Sequence, residues 1–437
     1  MSSDKEKIKQ IFNIFWPLAI SWLFMAVDIP FVSAIVSRMP QPEINLAAHS
    51  VVYPIALIIE APIIMMLSVS LALSKDKKNY RRIYKFMMIL CAGLTIIHAS
   101  ISCTPLFYLV VGNLMGAPKE LLPYARVEMI MMIPWTWAIG YRRFYQGILI
   151  RNGHSKQVTI GTIIRMSFLI GVLLIGYRLQ DFVSGTMTAG AALSSGVIAE
   201  GLFCGLKGRK TADRDFEEGE LSELISWGEL IRFVIPLILT QIINLGWMSL
   251  GSAAMSRMIN PIASLAVWPV LSGLLNIIKS FGSACNETTL SVINREGFYK
   301  ADRRFTFYIA IFSTLFYAAL IVTPLGRFWF EGLSSLTPEL SDLAKKALPM
   351  IFLIPFVNTY LNFYQAILLA GKKTSGFLES LLIYLIFMIS ILYIGILTQK
   401  WEGIYVIMIG MNIAVLAQTL WTRFRAKKII PLFDHPK

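Results

Sequence analysis

Twelve apolar runs of about 20 residues, separated by short polar segments, constrain what this chain can fold into. A helix rising about 1.5 Å per residue needs about 20 mostly apolar residues to cross a hydrocarbon core of about 30 Å. The runs fall near 14–36, 48–73, 86–111, 122–149, 158–179, 184–206, 230–255, 263–292, 305–328, 344–370, 377–397 and 403–422. Of 437 residues, 56% are hydrophobic and only 15% charged, against roughly 25% charged in a soluble domain. Forty Lys and Arg against 26 Asp and Glu give a net charge of +14. That balance would suit a nucleic-acid binder, but the basic residues cluster in the loops between apolar runs, the pattern of a polytopic membrane protein. The expected fold is therefore all-α, with 12 transmembrane helices in the plasma membrane. The opening MSSDKEKIKQ is polar and the first run is long enough to span, so no cleavable signal peptide is expected.

Orientation follows from Lys and Arg. Clusters at 75–85, 207–214, 295–304 and 423–428 occupy loops on one side, while the opposite loops hold scattered residues such as Arg38, Lys119, Arg126 and Arg178. This bias places both termini in the cytoplasm.

The chain also repeats itself. PLAISWLFMAVDIPFVSAIVSRM begins at Pro17 and PLILTQIINLGWMSLGSAAMSRM at Pro236, an offset of 219 residues. The same offset relates Arg38 to Arg257, Leu46-Ala47 to Leu265-Ala266, Thr104-Pro105-Leu106 to Thr323-Pro324-Leu325, and Phe144-Tyr145-Gln146 to Phe363-Tyr364-Gln365. One register held over four runs implies two parallel six-helix repeats around a central cavity, with an N-terminal bundle over 1–206, a cytoplasmic linker over 207–223 and a C-terminal bundle over 224–437. Such an architecture suits alternating access.

An ionisable residue inside a span costs at least about 2.5–3.5 kcal/mol, so each one needs a reason. Glu60 and Lys279 lie mid-span at the 219-residue offset, either facing each other across the cavity or forming a static pair. Arg142, Arg143 and Arg165 lie at similar depth in the fourth and fifth spans. With Lys279 they form a basic lining for an anion, since a guanidinium donates to carboxylate or phosphate through a bidentate fork; the alternative is pairing of Arg142 or Arg143 with Glu128 or Asp28. Asp28 lies two residues before Pro30, as a proton or cation site beside a kink or as a cap on a broken helix. Asn244 and Trp247 in the seventh span, and Asn286 and Glu287 in the eighth, are further cavity candidates, Glu287 being equally well placed to snorkel. Glu128, Glu200 and Glu379 read as interfacial, and His49 and His98 as packed histidines. Tyr145, Gln146, Tyr364 and Gln365 read as residues that hold helices together.

Other chemistry is not indicated. No phosphate loop, HExxH or GxSxG occurs, and Cys91, Cys103, Cys204 and Cys285 are scattered without metal spacing. The chain reads as a non-enzyme with no metal and no cofactor, its coupling ion H+ or Na+. Its partners are the bilayer and a small, anionic solute, not nucleic acid, and it is expected to be a monomer.

The PLA and VSRM elements of the first span, their copy in the seventh and the six-plus-six arrangement resemble the MOP superfamily of exporters and flippases, which includes the multidrug and toxic compound extrusion (MATE) proteins. Within that group the chain is similar to the progressive ankylosis (ANK) family, through FWPLA at Phe15–Ala19, VSR at Val36–Arg38, the stretch Leu46–Asp76, GILIRNG at Gly147–Gly153 and LLAGKKT at Leu368–Thr374. The major facilitator pattern is absent from its expected loop, which reads SKDKKNYRR. The resemblance implies a cavity built by spans one, two, seven and eight. ANK-like character implies export of citrate, pyrophosphate or nucleotide-type anions. MATE-like character implies proton- or sodium-coupled extrusion of cationic drugs through an Asp in the first span, a place Asp28 matches, although Pro30 departs from that pattern. A flippase of lipid-linked substrates is the remaining alternative.

Overall fold

The computed structural model describes residues 4–216, 224–371 and 373–434, so 217–223 of the expected linker lies outside the described residues. Among the described residues the chain is helical, its one β contact an isolated bridge between Ile259 and Glu402. Its contacts group into two compact units, Met1–Ala34 with Arg257–Lys437, and Ile35–Ser256.

The first unit opens with α1 (Asp4–Ala26) and most of α2 (Asp28–Val36). It continues through α11 (Pro261–Val292), α12 (Phe298–Val322), the short α13 (Leu325–Arg327), α14 (Pro338–Ala347), α15 (Ile354–Ala370), α16 (Thr374–Thr398), α17 (Gly403–Lys427) and α18 (Pro431–Asp434). The second unit holds α3 (Pro42–Ile64), α4 (Met66–Leu73), α5 (Lys77–Cys103), α6 (Leu122–Met131) and α7 (Ile133–Arg151). It closes with α8 (Ser155–Arg178), α9 (Gly185–Asp215) and α10 (Trp227–Met255).

Nine helical stretches among the described residues are long and apolar enough to cross a membrane by length and composition, and they coincide with nine of the expected runs. The other three runs correspond to α6–α7, α10 and α14–α15. Several runs read as continuous are broken. The first divides at Val27: Pro30 has no N–H and its ring crowds the carbonyl four residues back, at Ala26, where α1 ends. The fourth divides at Met132, and the tenth passes through a 3-10 turn at Leu348–Ile351. Conversely, α9 runs on to Asp215, so the first part of the polar stretch 207–223 prolongs a helix.

The 219-residue offset also governs the backbone. Gln41 and Asn260 both take left-handed conformations, φ 52° and 49°, each just before a helix that opens on proline. Thr104 and Thr323 each end a helix by donating to the carbonyl four residues back, Ser100 and Ala319, at 2.6 Å. A π-helical turn follows in both places, Tyr108–Leu114 and Phe328–Leu333. Each closes on a positive-φ residue, Gly116 and Ser335.

Packing does not follow chain order. In the first unit, α1 lies along α11 and α12. Ile11, Phe15 and Ala19 are buried there with Ala284, Cys285, Val292 and Phe305, and the rings of Phe15 and Phe305 meet edge to face at 5.2 Å. In the second unit, α10 lies along α3, where Ser252 donates to the Ser50 carbonyl at 2.7 Å. The first helix of each repeat thus joins helices of the other repeat.

Candidate functional site

Among the described residues, a highly charged interior region lies in the second unit, on α3, α7, α8 and α9. Its scaffold begins with small residues. α9 opens GTMTAGAALSSG, and helices pack closely in lipid where glycine, alanine and serine line the contact. A Cβ on Gly196 would come within 2.9 Å of the Arg165 carbonyl, and one on Gly161 within 3.3 Å of the Glu200 side chain. These close approaches seat α8 against α9 and bring Arg165 to Glu200.

Spacing within each helix then assembles the group. Arg142 and Gln146 are four residues apart on α7, and Thr162 and Arg165 three apart on α8, so each pair shares a face. All four converge on Glu200. Arg142 Nη1 donates to Glu200 Oε2 at 2.6 Å, and Arg165 Nε lies 3.3 Å from the same oxygen. Gln146 Nε2 donates to Oε1 at 2.9 Å, and Thr162 Oγ1 reaches it at 3.4 Å. Glu200 is 1% exposed. A buried carboxylate needs this many donors, because the desolvation of a charge is repaid only by good pairing.

Two charged groups flank this core without joining it. Arg143 donates a long hydrogen bond, 3.4 Å, to Gln146 Oε1. Glu60 on α3 is fully buried, and neither of its oxygens has a hydrogen-bond partner. The charges that act on it are Arg142 and Arg143. The group holds three guanidiniums and two carboxylates.

Of the expected site residues, Glu60, Arg142, Arg143 and Arg165 thus come together in one unit. Lys279 lies on α11 in the first unit. So do Asn286, which donates to the Asn362 carbonyl on α15 at 2.8 Å, and Glu287, which is exposed and hydrogen-bonded to Trp22. Asp28 is the first residue of α2, at the helix break. Trp247 is half-buried on α10, and the side chain of Asn244 lies outside the described residues.

Two glutamates expected at the interface are instead buried. Glu200 reads as interfacial only if the sixth span stops at 206; because α9 continues to Asp215, it lies well inside the helix. Glu128 is buried against His49, whose Nδ1 lies 2.5 Å from Glu128 Oε1. Glu128 does not engage Arg142, whose partner is Glu200. Glu379 is half-exposed and accepts from Trp421 and Arg425 at 3.0 Å each. His98 is a packed histidine, tied to Thr136 Oγ1 at 2.7 Å and the Met129 carbonyl at 3.0 Å. Thr162 carries no sequence signal beyond its spacing from Arg165, whereas Gln146 belongs to the repeated Phe-Tyr-Gln stretch read as holding helices together.

No protein-family model and no curated protein matches this sequence. Solved structures do match in fold. An inward-facing multidrug resistance MATE family transporter of the MOP superfamily is similar at a TM-score of 0.73 and 16% identity, over 95% of this chain and 98% of that one. An outward-facing structure of the same kind is similar at 0.65 and 17%, over 97% of each. A MOP superfamily transporter from Pyrococcus furiosus, whose binding pocket is described as having reversed polarity suggesting a different function, is similar at 0.62 and 16%, over 98% of this chain and 97% of that one. This chain therefore has, over nearly its whole length, the all-helical membrane fold of MATE transporters.

Proposed function

We propose that this chain is an alternating-access membrane transporter that exports small organic or phosphate anions such as citrate or pyrophosphate. The observation that carries this reading is the surplus of guanidinium over carboxylate in the buried group around Glu200, on a fold shared with solved transporters. Arginine suits this task because it stays charged and its planar fork matches carboxylate and phosphate oxygens. Arg142 and Arg165 are committed to Glu200, which leaves Arg143 to meet the anion. The ANK-like stretches at Phe15–Ala19 and Leu46–Asp76 support the same solute class. The chain acts in the plasma membrane as a monomer with both termini in the cytoplasm.

The test is uptake of radiolabelled citrate and pyrophosphate into proteoliposomes beside a cationic dye, under imposed proton and sodium gradients. Saturable anion movement is expected, and Arg143→Gln lowers kcat/KM about tenfold or more, equivalent to about 1.4 kcal/mol. Gradient-driven dye movement with both anions inert would overturn the reading. That result would favour a MATE-type antiporter of cationic drugs, the reading supported by Asp28 at the break between α1 and α2, and Asp28→Asn would then abolish dye movement.

A further inference from the structure

Arg143 and Glu60 have complementary deficits. Arg143 is the guanidinium of the group with no carboxylate bound to it among the described residues, its polar contact being the long bond to Gln146. Glu60 is the carboxyl group with no donor on either oxygen, at 0% exposure. α3 packs on α7; Ile63, one turn from Glu60, would lie 3.3 Å from a Cβ on Gly140, one turn from Arg143, yet no ion pair joins Glu60 and Arg143. A buried carboxylate with no donor is costly to keep ionised. A half-buried guanidinium with an edge not engaged by a carboxylate can donate to an anionic head.

We propose that Glu60 and Arg143 form a co-binding site for one proton and one carboxylate or phosphate group, so that anion and proton move together. This rests on the anion-transport reading above. With its proton on, Glu60 is a neutral O–H donor to a substrate oxygen, while Arg143 donates N–H groups to the same anionic head. With its proton off, Glu60 repels the anion and competes for Arg143. Each ligand raises the affinity of the other by the same factor, as linkage requires. No bond is made or broken beyond the transfer of a proton to and from a carboxyl oxygen.

The surroundings leave this role to Glu60. The helices packed on α3 include α5, α6, α7, α9 and α10. From α7 come Arg142 and Arg143. From α9 comes Glu200, already held by Arg142, Gln146 and Arg165. α6 brings Glu128, engaged by His49 about 16 Å farther along α3 by the helical rise. α5 brings the neutral Cys91 thiol, buried and close to Ile63 and Gly140. α10 carries no charged residue from Phe233 to Met255.

The experiment uses full-length protein in proteoliposomes loaded with a pH-sensitive dye, with labelled pyrophosphate outside and an inward proton gradient. Wild-type protein is expected to accumulate pyrophosphate and acidify the lumen, and an ionophore that collapses the proton gradient removes the accumulation. Glu60→Gln, whose amide still donates but does not titrate, is expected to leave a slower, pH-independent exchange with no lumen acidification. Glu60→Asp keeps acidification, and Arg143→Gln loses accumulation at least tenfold. Protons released by pyrophosphate itself scale with its uptake, so acidification is compared per pyrophosphate taken up and counted only beyond that release. The proposal falls if Glu60→Gln still acidifies the lumen, or if Arg143→Gln accumulates as wild type does. It also falls if wild-type accumulation survives the ionophore, a result that needs no variant to fold. Pyrophosphate movement without proton movement sinks this site alone, whereas a wild-type protein inert to anions sinks the transport reading with it.

Discussion

Glu200 is the residue on which the charged group depends. Replacing it with alanine leaves two buried guanidiniums facing each other without a counter-charge, and breaking a buried pair in this way costs about 3–5 kcal/mol. Glu200→Ala is expected to lower the midpoint of thermal unfolding in detergent, followed by size exclusion, by many degrees. Glu60→Gln removes a carboxyl group that no donor compensates, so its midpoint is expected to equal or exceed that of wild type. Equal losses in the two variants would contradict the division between structural and free groups. The arginines of this group were legible in the sequence, because a charge inside an apolar run stands out against its cost. Their partner was not. Polarity alone put the end of the sixth span at 206, whereas the amphipathic stretch to Asp215 stays helical and draws Glu200 inward.

At the scale of elements, close helix contact depends on absent side chains. A Cβ on Gly147 of α7 would strike Ser70 Oγ and come within 2.5 Å of the Leu67 carbonyl on α4, where backbone atoms do not give way. A Cβ on Gly93 of α5 would meet nothing within 4 Å. Gly147→Ala is expected to cost about 1–3 kcal/mol through overpacking, and Gly93→Ala to leave the unfolding midpoint in place. A second element-level device lies where the ninth apolar run gives way to the tenth. The π-helical turn Phe328–Leu333 is pinned to α14 by Glu331, which accepts from Lys345 at 2.7 Å and Ser341 at 2.9 Å. The hydrogen bonds from Lys345 and Ser341 hold the Glu331 carboxyl below its ordinary range. A lowered folded-state value means the contribution is complete above the unfolded value and is lost as pH falls through the folded one. Glu331→Gln is therefore expected to lower the midpoint at neutral pH, and the difference from wild type to vanish as pH falls through the lowered folded-state value. Nine of the expected runs coincide with helical stretches long and apolar enough to cross a membrane among the described residues. The breaks at Met132 and Leu348–Ile351 were harder to see, because Pro134 and Pro349 mark a kink without saying whether the helix resumes.

At the scale of the whole molecule, the repeat was the strongest sequence signal, since side-chain identities and backbone turns share one offset. Its spatial consequence was hidden: nothing in the register says that α1 and α10 each pack among helices of the other repeat. The expected topology of twelve spans is checked by cysteine labelling in a cysteine-free background, with impermeant reagent reaching Lys119→Cys from outside and Lys78→Cys only after permeabilisation. The reverse pattern would invert the orientation. The placement of α1 bears finally on how the protein is made. α10 finds α3 already synthesised, but α1 emerges roughly 230 residues before α11 and α12. At about 5–20 residues per second of translation, that is on the order of ten to fifty seconds during which the first segment made must stay lodged in lipid, without its neighbours, beside a working ribosome.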